Sequence, residues 1–289
     1  MPTFEHDGIL FNYFDQRTPQ HEGAEVPFIF QHGIGGTLRQ PSSLMDPLPG
    51  PVRLIAMDSR GHGETRQTGR PSSGHLGFVT FADDVIALMD HLRVHRAVVG
   101  GISMGAGVAL NLALRFPERV AGLVLSRPAW LAGPMAAVDL YAQIADLLRR
   151  LGAVEGRRSF AVAPAYLKMA ELYPDAAKSL IGQFDEARAH DDVWRLELLP
   201  NDRPFTRLAD LFNIHVATLV LATGQDPVHP LEYGQTLKRG IRGARLLEVT
   251  AKSESPERHQ QEMRKGIGSF LGSFPEEALV VPGCGGERK

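Results

Sequence analysis

One cysteine, Cys284, is all that 289 residues contain, so no internal disulfide can staple this chain. A surplus of positive charge is lacking too. The 31 Lys and Arg residues stand against 33 Asp and Glu, for a formal net charge of -2. No surplus of cations is left for a phosphate backbone, which argues against a nucleic-acid partner. No apolar run is long enough to cross a bilayer, so no membrane span is expected. The opening Met1-Pro2-Thr3-Phe4-Glu5-His6-Asp7 lacks the basic start and apolar stretch of a secretory signal. Neither a His-Glu-x-x-His pair nor a cysteine cluster occurs, and no metal is expected. Together these absences lead to the expectation of a cytoplasmic protein.

What remains is ordinary globular material. Hydrophobic residues make up 43% and charged residues 22%, enough for a sizeable core in one α/β domain with an insertion. Phe4 and the run from Ile9 to Phe14 flank Asp7-Gly8, a two-residue hairpin signal, because both positions tolerate positive φ. Short, continuously apolar runs follow: Val26 to Gln31, Val52 to Met57, Ala97 to Gly101, Val120 to Leu125, Val216 to Ala222 and Leu246 to Val249. Such runs suit parallel strands covered on both faces. Between them lie helical patterns, with Phe81, Val85, Leu88 and Leu92 in one stripe and an Ala- and Leu-rich stretch from Met104 to Phe116 ended by Pro117. Alternating strands and helices imply a mostly parallel sheet with helices on both sides.

Between Leu125 and Val216 the alternation stops and the pattern is helical throughout. The expected organisation is therefore a core of residues 1–127 and 212–274, a helical cap inserted at 128–211, and a disordered tail at 275–289. The cap is rich in large apolar side chains, among them Met135, Tyr141, Phe160, Phe184 and Trp194. A roof drawn from these predicts a mainly apolar pocket that favours a small to medium hydrophobic acyl or ring group.

The chemistry concentrates at strand ends. A strand running into Gly101-Ile102-Ser103-Met104-Gly105, followed at once by a helix, has the form of a nucleophile elbow. The tight turn exposes the hydroxyl at a helix N-terminus, where developing negative charge is favoured, and small neighbours let the backbone pass. His32-Gly33-Ile34-Gly35-Gly36 follows an earlier strand. Acyl transfer needs two N–H donors aimed at an oxyanion; Met104 N–H and Ile34 N–H are the candidates. The phosphate-loop alternative for the glycine-rich loop lacks its Gly-Lys-Ser/Thr.

Taken with Asp58-Ser59-Arg60-Gly61-His62-Gly63, these segments resemble, in order and interval, those of the α/β-hydrolase superfamily. The resemblance implies an eight-stranded, mostly parallel sheet flanked by helices, and a Ser–acid–His triad in that chain order with no cofactor. It makes Asp58 and His62 loop-stabilising residues, and Asp226, in Thr223-Gly224-Gln225-Asp226-Pro227, the acid. Family members usually carry Gly-His after the last strand, where this chain reads Val249-Thr250-Ala251-Lys252-Ser253. His259, in the first turn of a helix starting near Pro256, is the expected base. His229, three residues from the acid, is its rival. The implied activity is cofactor-independent hydrolysis of a small-molecule carboxylic ester or lactone through an acyl-enzyme. An enol-lactonase, a C–C bond hydrolase, an acyltransferase or a non-catalytic ligand-binding member of the fold stay open, as does assembly into a homo-oligomer. The serine excludes the branches with an aspartate nucleophile, haloalkane dehalogenases and epoxide hydrolases.

Overall fold

A computed structural model describes residues 1–17, 25–68, 76–185, 189 and 191–274. The expected tail and Cys284 lie outside them. The hairpin comes first: β1 (Thr3–His6) and β2 (Ile9–Arg17) pair antiparallel around Asp7 and Gly8, both at positive φ, 50° and 69°. This mirror-image turn follows the right-handed twist of the strands it joins. Next come β3 (Val26–Gln31), α1 (Arg39–Leu44), β4 (Val52–Met57), the two-residue β5 (Arg66–Gln67), α2 (Phe78–His91), β6 (Ala97–Ile102), α3 (Met104–Arg115) and β7 (Val120–Ser126).

Helices alone fill the described stretch up to the next strand: α4 (Val138–Ala161), α5 (Pro164–Leu172), α6 (Pro174–Ile181) and α7 (Trp194–Leu198), with short 3-10 turns between and after them. Gly152, at φ 74° and ψ -177°, breaks α4 in its second half. Then β8 (Ala217–Ala222), α8 (Leu231–Gly240), β9 (Arg245–Glu248) and α9 (Pro256–Leu271) complete the order. Among the described residues no helix is long and apolar enough to cross a membrane.

The sheet runs β1-β2-β4-β3-β6-β7-β8-β9, with β5 paired to β2 as a ninth strand that was not expected. Pairing is antiparallel from β1 to β4 and parallel from β4 to β9. The chain leaves β3 toward β4 on one side and later places β6 on the other. Between β3 and β6, then, the connections diverge, and a crevice opens at the carboxyl ends of those two strands. Ser103 ends one of them and His32 the other.

Two apolar layers clamp the sheet. One holds Phe78, Phe81, Val85 and Leu88 of α2, most of α3 and Leu237 of α8. The other holds Phe28, Phe30, Leu44 of α1, and Met263, Ile267 and Phe270 of α9. The inserted helices continue the first layer through Trp130, Tyr141, Ile144, Leu148, Phe160 and Phe184. Trp130 packs edge-on against Phe78 at 5.3 Å between ring centroids and donates its indole N–H to Leu199 O at 3.1 Å.

A buried ion pair ties the loop after β4 to α2. Arg60 donates two hydrogen bonds of 2.7 Å to Asp84 and reaches Asp7 in the hairpin turn at 3.0 Å. Removing one member of such a pair strands the other charge away from water. Asp84→Ala should cost about 3–5 kcal/mol of stability, read as a lower urea midpoint with an unchanged slope. A loss below about 1 kcal/mol would show that Arg60 finds water or Asp7 to replace its partner.

Candidate active site

The elbow is built by steric exclusion. Ser103 sits at φ 56° and ψ -106°, a conformation that side chains rarely adopt, between the last residue of β6 and the first of α3. Strand and helix approach so closely that a Cβ on Gly101 would lie 2.4 Å from the Gly105 backbone, and one on Gly105 would lie 2.4 Å from Gln31 O. Neither backbone can yield. Hydrogen bonds hold the turn on three sides: Ser103 N–H to Ser126 O at 2.9 Å, Gly105 N–H to His32 O at 3.1 Å, and Ala106 N–H to Ser103 O at 3.1 Å. The strain is locked in by contacts on every side.

The glycine-rich loop after β3 crosses beside the serine; a Cβ on Gly33 would lie 3.4 Å from that of Ser103. Gly33 N–H is taken by Gln40 Oε1 at 2.8 Å, whereas Ile34 N–H and Met104 N–H have no acceptor among the described residues. Ile34 O is held from behind by His62 Nε2 at 2.9 Å and by Arg195 Nη1, which reaches in from α7. His32 accepts Ser59 N–H on Nε2 at 3.0 Å, so its Nδ1 carries the proton toward Gly33 O at 2.8 Å. Asp58 accepts from Leu38 N–H, Glu64 N–H and Asn12 Nδ2. Both residues are structural, and both serve the loops around the serine.

The histidine facing Ser103 is His229. Its Nε2 lies 2.9 Å from Ser103 Oγ and its Nδ1 lies 2.9 Å from Asp226 Oδ2. The expectation of His259 is thereby corrected. His259 does lie in the first turn of α9, on one buried face with Met263, Ile267 and Phe270, but its Nδ1 bonds Thr250 O at 2.8 Å. No hydrogen bond joins it to Ser103 or Asp226. Three residues from Asp226 to His229 is a short spacing for a side chain that must reach a serine on another strand, yet the backbone resolves it. After β8 the chain curls into a turn in which His229 N–H bonds Asp226 O at 3.1 Å and both Val228 and His229 N–H lean on Asp226 Oδ1. The ring returns over the acid and points back across β7 toward β6, two strand spacings or about 10 Å away.

A fourth group, not singled out in the sequence, completes the cluster. Arg127, at φ 46° directly after β7, donates from Nη2 to Asp226 Oδ2 and stands 3.1 Å from His229 Nδ1. Both nitrogens are donors, so they share one carboxylate oxygen rather than bond each other. The available signal was the position alone: a charged residue just past the carboxyl end of a buried strand. Electrostatics follow the same geometry. Burial alone would push the Asp226 carboxyl up, but His229 and then Arg127 overcome it and hold the acid well below the ordinary carboxylate range. Burial pushes the His229 imidazole down and the Arg127 charge adds to that; Asp226 opposes both, and the net direction is down. At neutral pH the ring is therefore uncharged, with Nδ1–H donated to Asp226 and Nε2 free to accept from Ser103.

The roof departs from expectation as well. Of the large apolar side chains in the insertion, Phe160 and Phe184 are buried together in its core, and Trp194 packs over Gly61. Of those side chains the chamber above Ser103, about 350 Å³, takes Tyr141 alone, together with Asp175, Lys178 and Ser179 from the inserted helices. The reason is packing. An insertion resting on only one side of a sheet spends its aromatics on joining itself to the core, and the residues left facing the chamber are polar. A second chamber of about 490 Å³ shares Gln40, Ile102, Arg127, Lys252 and Pro256 with the first and is walled by Leu44 and Met263.

Comparison with known proteins agrees with this architecture. The family described as having the alpha/beta hydrolase fold matches residues 26–274. An acetyltransferase component of the acetoin cleaving system of Pseudomonas putida is 29% identical over 213 residues; the match covers 73% of this chain but only 54% of that protein. A 3-oxoadipate enol-lactonase of Acinetobacter baylyi is 29% identical over 215 residues, covering 72% of this chain and 74% of that one. The crystal structure of a hydrolase from Pseudomonas aeruginosa superposes with a TM-score of 0.70 at 27% identity, across 94% of this chain and 98% of that one.

Proposed function

Because the chain belongs to the α/β-hydrolase family, we propose that it is a serine hydrolase that cleaves a carboxylic ester or lactone through an acyl-enzyme. The observation that carries this reading is the unbroken chain Ser103 Oγ, His229 and Asp226, with 2.9 Å at each link. In the proposed reaction His229 Nε2 takes the hydroxyl proton as Ser103 Oγ attacks the carbonyl carbon. Ile34 and Met104 N–H hold the oxygen that becomes negative, at the helix end where the dipole of α3 favours it. Collapse expels the alcohol, which receives the proton from His229. Water then attacks the acyl-enzyme by the same route, regenerating Ser103 and releasing the acid. Asp226 and Arg127 keep the imidazole in one tautomer and one orientation throughout. The enol-lactonase relative supports including lactones among the substrates.

The test combines labelling with a pH profile. A fluorophosphonate should label one site, Ser103, and p-nitrophenyl esters should be turned over. The base must be neutral, so activity is lost as pH falls through the imidazole pKa. Since that pKa is depressed, the acid limb should lie below the ordinary histidine value of about 6.5. No labelling and no turnover of any ester or lactone would leave a ligand-binding protein.

A further inference from the structure

The charges around the chamber over Ser103 are unbalanced. Three cations line it, Arg127, Lys178 and Lys252, against one carboxylate, Asp175. Arg127 already serves Asp226 through Nη2, but its Nη1 has no acceptor among the described residues. The side-chain ammonium of neither Lys178 nor Lys252 makes a hydrogen bond or ion pair with a described residue. They come from separate parts of the chain, Lys178 from α6 in the insertion and Lys252 from the loop after β9. Their convergence on one cavity is therefore a product of the fold rather than of a local run of charge.

Some arginines elsewhere in this protein are matched, although the exposed Arg39, Arg93 and Arg242 form no ion pair with a described residue. Arg53, Arg149, Arg158 and Arg207 each meet a carboxylate within 3 Å. Cations gathered without acceptors around a nucleophile face the opposite situation. A neutral apolar substrate would offer these cations, both lysines being exposed, no acceptor in place of water. An anionic substrate would give each donor an acceptor and would be drawn toward the cavity while still in solution. Desolvation first, and then the neighbouring Arg127 charge, push the Lys252 ammonium pKa down, against the opposing pull of Asp175 and Asp226.

We propose that the substrate hydrolysed here carries, besides its ester or lactone group, a free carboxylate held by Lys178, Lys252 and the Nη1 side of Arg127 while Ser103 attacks the carbonyl. This rests on the hydrolase reading above and names its substrate class. It also replaces the expectation of a hydrophobic acyl group. Ile102 and Pro256, on the lining of the same chamber, offer apolar surface to the hydrocarbon between the two functional groups.

Mono-p-nitrophenyl esters of succinic, glutaric and adipic acid, each beside its methyl-capped neutral twin, test the idea. For at least one chain length the acid should be preferred by tenfold or more in kcat/KM. That preference should shrink as sodium chloride is raised, since exposed charges are screened. In Lys178→Met/Lys252→Met it should fall to within about twofold, whereas Lys178→Arg/Lys252→Arg should retain it. Equal or faster hydrolysis of the neutral twins at every length, with Ser103 still labelled by fluorophosphonate, overturns the anionic subsite and leaves the hydrolase. A preference that survives intact in the double methionine variant overturns it too. No turnover of either series, with no labelling, brings down the hydrolase reading and this proposal together.

Discussion

Ser103→Ala should lower hydrolysis by roughly a million-fold while the circular dichroism spectrum and the unfolding midpoint stay close to those of the parent. The size follows from what the hydroxyl does in the proposed reaction. Without Oγ no acyl-enzyme forms, and only the loop and helix N–H donors remain to stabilise the transition state, a residue of some three or four orders of magnitude over water. The fold should survive because the elbow is held by backbone hydrogen bonds from Ser103, Gly105 and Ala106 rather than by the side chain. Alanine is strained at φ 56°, as serine already is, so the exchange adds little. Near-parental turnover by a folded variant would remove Ser103 from the mechanism. The glycines beside it behave differently. Substitution at Gly101 or Gly105 presses a methyl into backbone and damages the elbow itself.

The second large effect separates two histidines. His229→Ala should be nearly as inactive as the serine variant, because catalytic residues that work as a unit lose most of their effect when any one is removed. His259→Ala should keep turnover within about tenfold and lose about 1–2 kcal/mol of stability, the consequence of deleting a buried ring and its bond to Thr250 O. The geometry leaves little room for exchange of roles. His229 has one nitrogen on the acid and the other on the nucleophile, while His259 spends Nδ1 on a backbone carbonyl. Measured together, kcat and the urea midpoint distinguish the cases: a base changes the first and a packing residue the second. An inactive His259→Ala beside an active His229→Ala would require a different arrangement in solution from the one described.

The two histidines also mark where sequence reasoning reaches its limit. Six parallel strands, the hairpin at Asp7-Gly8 and the strand–Ser103–helix turn were legible because each is written in neighbouring residues. Alternation of apolar runs with helical stripes reports burial on both faces, and a glycine beside a strand end reports close approach. Asp226 was recognisable by the loop that follows its strand. The stripe through His259, Met263, Ile267 and Phe270 was read correctly too, and the helix is where it was expected. What that stripe could not report was that the helix packs on the face of the sheet opposite α2 and α3, with its first-turn histidine turned to Thr250 rather than to Ser103.

Local order, then, belongs to the sequence alone: which segments are strands, where the strained serine stands, which loop carries the acid. Partnership belongs to the tertiary structure. The order β6-β7-β8 sets the gap between Ser103 and Asp226, and only a turn folded back over the acid lets a histidine three residues on cross it. Arg127 enters the same cluster from the intervening strand, 99 residues before Asp226 in the chain. The charged roof arises in the same way. Phe160, Phe184 and Trp194 of the insertion are spent on packing, and Lys178 and Lys252 line the chamber over Ser103 together only because α6 and the loop after β9 are folded to one rim. Hydrogen bonds and charge pairs act over a few ångströms of space, and sequence separation does not measure that distance.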